Sequence, residues 1–123
     1  PAAGQGGFPA PVAGIADRVK GKYYLIVQQL MGATPKDFAE AERIRTWCAQ
    51  HGEKVTVHPW LTKTGKKYYI VWSLRTFDSP TSQEAQDFGK HIEALGETYF
   101  SEYKTYKFQQ RNNGKFDPWY RQA

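Results

Sequence analysis

A single cysteine, Cys48, stands among the 123 residues. One thiol excludes an internal disulfide and cannot build a cysteine-based zinc site. No stretch approaches the ~20 successive apolar residues of a membrane-spanning helix. No signal-peptide pattern opens the sequence, which starts at Pro1 rather than Met, as a processed piece of a longer protein would. Catalytic patterns are missing too. His51, His58 and His91 show no HExxH spacing, and no serine sits in a GxSxG setting. TKTGKK (62–67) resembles a phosphate loop only superficially; it lacks the spacing and the following helix, and reads as a hairpin turn. Glu40, Glu42, Glu84 and Asp87 fall at helical positions expected to be solvated, and Cys48 at a core position. The expectation is therefore a non-enzymatic chain with no metal and no cofactor.

Aromatic residues are abundant instead, at 15%, and the net charge is +5 with a pI near 9.3. This length points to one domain with its own core. The basicity suits an anionic partner, or equally a mildly basic surface.

Residues 1–16 are rich in Pro, Gly and Ala and carry no charge, as a flexible linker or arm would; Phe8 and Val12 would bury only if the arm packs. KYYLIVQQL (22–30) predicts a central strand, apolar on both faces. Thr34 as N-cap, Pro35 at the first helical position and Asp37 in the first turn predict a helix to about residue 51. Its inner stripe would be Phe38, Ala41, Ile44 and Cys48, with Trp47 beside it and Gly52 ending it. EKVTVHPWL (53–61) predicts an edge strand, because Pro59 cannot donate to a ladder. Gly65 turns the chain into KYYIVWSLRT (67–76), a second central strand. Ser79 and Pro80 repeat the Thr34-Pro35 start. A second helix with Ala85, Phe88, Ile92 and Leu95 on its stripe would stop at Gly96, and EYKTYKFQQ (102–110) would be the fourth strand.

The Lys-Tyr-Tyr run at 22–24 recurs at 67–69, and a helix follows each, so the chain reads as two β-α-β halves. Together they make an α+β, ferredoxin-like βαββαβ sandwich, a four-stranded antiparallel sheet with two helices on one face. The domain would span 17–111, followed by a basic, aromatic tail, 112–123. Alternation along the central strands places Leu25, Val27, Tyr69 and Val71 against the helices. It leaves Tyr24, Ile26, Gln28, Ile70 and Trp72 outside, with Thr56 and His58 beyond. An apolar outer face marks an interface or ligand groove, unless Phe116, Trp119 and Tyr120 of the tail fold over it.

Over about residues 22–110 the order YYLIVQQL, AEAERIRTW, Gly52, KTGKKYYIVW and SPTSQEA resembles the SPOR domain, a bacterial peptidoglycan-binding module. The resemblance implies the βαββαβ topology with an internal pseudo-repeat, glycan contact through the sheet face, and a place in the periplasm, the cell envelope or outside the cell. The expected ligand-binding residues are then Tyr24, Ile26, Gln28, His58, Ile70, Trp72, Arg75 and Lys107. Trp72 would stack on a sugar, while Arg75 and Lys107 would supply positive charge. The other reading is a protein partner, the chain itself included, using the apolar face or the edge strands. LIVQQL (25–30) is also similar to the first-strand motif of RNA-recognition motifs, but GKKYYIVW lacks that family's interior glycines, so nucleic acid is not the expected partner.

Overall fold

The computed structural model describes residues 8–11, 18–30, 32–108 and 117–123; Val12, Phe116 and the last two residues of the expected fourth strand lie outside the described residues. The elements are β1 (Tyr23–Gln29), α1 (Pro35–Gln50), β2 (Val55–Leu61), β3 (Lys67–Ser73), α2 (Gln83–Tyr103) and β4 (Tyr120–Gln122). They form an α+β fold whose four-stranded sheet has the order β2-β3-β1-β4 and antiparallel pairing throughout. The two aromatic strands are central neighbours. Pro59 lies on the edge strand β2, where its missing N–H removes no bond from an inner ladder.

Helix α1 starts as its sequence dictates. The Thr34 hydroxyl accepts from the Asp37 amide while the Asp37 carboxylate accepts from the Thr34 amide, a reciprocal cap worth about 1 kcal/mol. At the other end Gly52 takes φ +83°, a left-handed conformation open to glycine at little cost. The helix buries Ala41, Ile44, Trp47 and Cys48. Phe38, expected on that stripe, is instead 45% exposed, with its ring against Tyr69 rather than in the core cluster.

Helix α2 departs further from expectation. Its N-cap is Ser82, not Ser79, and it does not stop at Gly96 but runs to Tyr103. The buried stripe Ala85, Phe88, Ile92 continues through Gly96 to Tyr99 at unbroken helical spacing. The glycine serves packing rather than termination. A Cβ at residue 96 would stand 2.3 Å from the backbone nitrogen of Phe108, whose side chain is buried in the core. The chain needs a bare backbone there to fold back against α2. Alanine normally gains about 1 kcal/mol over glycine within a helix. Gly96→Ala is expected instead to destabilise by about 1–3 kcal/mol through overpacking, read as a lower urea midpoint; an unchanged or raised midpoint would refute the close approach.

The expected fourth strand is likewise displaced. Residues 102 and 103 complete α2, and the edge beside β1 is filled by Tyr120–Gln122, from the segment read as a tail. Tyr120 pairs with Leu25, faces the helices and donates its hydroxyl to the Ala85 carbonyl at 2.7 Å. Tyr120 therefore lies on the opposite face from the one it was expected to cover.

Candidate functional site

The core between sheet and helices contains Leu25, Val27, Val71, Ile44, Phe88 and Ile92, among others. A second, separate cluster occupies the other face: Tyr24, Ile26, Ile70 and Trp72, with Trp60 packed against it. These four residues of the expected platform are thus together on one face. They are not open, since Tyr24 is 0% and Trp72 2% exposed. The segment entering β1 crosses them. The Arg18 guanidinium lies 4.3 Å from the Trp72 ring, and the Val19 amide donates to the Tyr24 hydroxyl at 2.7 Å. Alternation identified the face, but not the segment that crosses it.

The remaining expected site residues are scattered. In β1 the register slips between Ile26, opposite Trp72, and Gln28, opposite Val71. This bulge seats Val27 and Gln28 against one partner and puts Gln28 in register with a helix-side residue, not with the outer face. Arg75, expected to meet a ligand, is 0% exposed. Its Nε donates to Glu53 at 2.8 Å and its Nη2 to the same carboxylate at 3.2 Å, so its charge is already matched. His91 Nε2 lies 3.2 Å from Oε2 of that carboxylate, the oxygen that Arg75 Nη2 also contacts. Burial alone would raise the Glu53 carboxyl, but hydrogen bonds from His91 and Arg75 hold it below its ordinary value. Lys107 follows α2, over the Phe100 ring and near Glu97, away from the strands that carry Trp72. His58 pairs with Ile70 on the outer face, where burial and then the Arg18 charge hold its imidazole below the usual range, hence neutral at pH 7.

Other titratable groups are engaged in structure. Glu40, expected to be solvated, accepts from Arg43, the Tyr99 hydroxyl and Thr105, clasping the two helices. Burial, with the Glu53 charge behind it, pushes the Cys48 thiol up to about 12, which removes it as a nucleophile at neutral pH. Among the described residues no group of three or more His, Cys, Asp or Glu is placed to hold a metal ion, and no helix is long and apolar enough to cross a membrane.

What does stand open is the end of the β2–β3 hairpin. Leu61, the last residue of the edge strand, is 64% exposed. With Pro59, Trp60, Tyr69, Ala33 and Lys67 it lines a notch of about 410 Å³. The Phe38 ring, 5.3 Å from that of Tyr69, extends the apolar surface onto α1. Lys63, Lys66 and Lys67 are exposed beside it. Between Val55 and Ser73 there is no carboxylate, whereas eight of the twelve acidic residues lie on the two helices. The hairpin end is therefore apolar and cationic together. A second recess, between α1 and β2, contains Glu42 and Arg45, which satisfy each other. The hairpin notch had a sequence signal of its own, a leucine closing an edge strand directly before a lysine-rich turn.

No family model matches the chain, and neither a curated protein nor a solved structure matches it.

Proposed function

We propose that this chain is a non-catalytic interaction module whose working surface is the open end of the β2–β3 hairpin. The partner is an acidic protein segment carrying one apolar anchor. The observation that carries this reading is Leu61, 64% exposed at the mouth of an apolar notch whose one charged lining residue is Lys67. Exposed apolar surface rimmed by charge is the composition of an interface. Among the described residues no carboxylate pairs with Lys63, Lys66 or Lys67, which favours an acidic partner over a second copy of this basic chain. Pro59 interrupts the edge, so recognition rests on side chains and not on strand addition.

The test is co-purification from the native host's extract, with wild type and Leu61→Asp side by side. A true partner is expected to be held about tenfold more weakly by the variant and to be released as salt rises. Leu61 is too exposed for the change to unfold the domain. A partner retained equally by both proteins, at low and high salt, would sink the assignment.

Glycan binding in the manner of SPOR domains, with the envelope location it implies, is the second reading. It is favoured by the aromatic outer face, where Trp72 lies beneath Arg18. It requires Arg18 to lift, because Trp72 is shut away from solvent. Pelleting with purified peptidoglycan separates the two: retention abolished by Trp72→Phe and indifferent to Leu61→Asp would transfer the function to the outer face.

A further inference from the structure

Beside α2, residues from outside the sheet-and-helix frame pack into a recess formed by Arg75, Phe88 and His91. The Phe8 ring packs edge-on against Phe88 at 5.2 Å and lies 5.7 Å from the His91 ring. The Pro9 carbonyl accepts from Arg75 Nη1. Phe8 and Pro9 thus supply one aromatic ring and one acceptor, with no charge.

Most contacts that hold the walls of this recess lie outside the arm. Glu53 holds Arg75 through two hydrogen bonds and engages His91 with the same carboxylate. Phe88 is fixed in the core, in contact with Phe77. A receptor organised by its own framework binds with little ordering cost on its own side. We infer that the Arg75–Phe88–His91 recess is a peptide-binding site for an uncharged Phe-Pro segment, and that the segment it takes in trans is residues 8–9 of a second copy of this chain. Contacts made in cis and in trans are the same. The balance between them is set by the effective concentration of the tethered arm, roughly millimolar when two segments are joined by a short stretch of chain. This site is independent of the hairpin-end reading.

The test uses Phe8→Ala in the 123-residue chain, in which the arm no longer fills its own recess, and a labelled peptide with the sequence of residues 5–13. The peptide is expected to bind the variant saturably and wild type at least about tenfold more weakly, because the resident arm competes. The same peptide with its Phe replaced by Ala should not bind. In sedimentation, the mass of wild type should rise as its concentration approaches the millimolar range, and that of Phe8→Ala should not. Absence of peptide binding to the variant, equal binding to both proteins, or a wild-type mass independent of concentration would each overturn the inference.

Discussion

Arg75→Ala is expected to cost about 3–5 kcal/mol, because it leaves the Glu53 carboxylate buried without its main counter-charge. Against a total stability of about 5–15 kcal/mol for a domain this is a crippling loss. The size comes from the asymmetry of buried ion pairs. Forming the pair yields little net stability, since both groups give up water. Breaking it leaves one charge in a place that neither solvent nor the remaining contact with His91 can compensate. The pair should therefore be replaceable as a unit: Glu53→Leu with Arg75→Met is expected to recover most of the loss. Urea unfolding of both variants at neutral pH measures this. A single variant within about 1 kcal/mol of wild type would refute the burial argument.

The same carboxylate sets an acid limit. Its folded value lies below the ordinary 4.5, so its stabilisation is present above 4.5 and is lost as pH falls through the lower folded value. The urea midpoint of wild type should accordingly drop on acidification below about pH 4.5. The deficit of Arg75→Ala relative to wild type should narrow as pH falls, because protonation of Glu53 relieves an unpaired charge in the variant but breaks a pair in wild type. A deficit that stays constant down to the acid transition would mean that Glu53 is not the group Arg75 stabilises.

Deleting residues 117–123 is expected to cost about 4 kcal/mol, from the lost burial of Tyr120, about 2 kcal/mol, and from ladder and hydroxyl bonds at about 1 kcal/mol each. The segment closes the sheet beside β1: the Ile26 amide donates to the Trp119 carbonyl at 2.8 Å, and Gly21 and Lys22 exchange bonds with Ala123 at 2.9 Å each. The truncated chain should also associate, because β1 would present a bare, apolar edge. Light scattering after size exclusion, run at several concentrations alongside urea melts, gives both readings at once. A truncated chain that stays monomeric with an unchanged midpoint would show the segment to be a dispensable tail.

That contrast separates what local sequence carries from what it does not. The β-α-β order, the Thr34 cap, the glycine turns at 52 and 65 and the edge placement of Pro59 were legible, because each follows from residues within a few positions of one another. The inward and outward sets of the central strands were legible for the same reason, up to the bulge that moved Gln28. Gly96 carried a stop signal that the packing of Phe108 converted into a point of close approach. Arg75 resembled a free surface cation until Glu53, 22 residues earlier, was brought against it. The outer face was read correctly as apolar and wrongly as open, since nothing local tells that Arg18 lies over Trp72. The α1 cap, the turns at Gly52 and Gly65 and the alternation up to the bulge were decided by the sequence alone. The fourth strand, the fate of each charge and the surface left accessible were decided by tertiary structure, because contacts between residues far apart in the chain depend on how all the elements share one core.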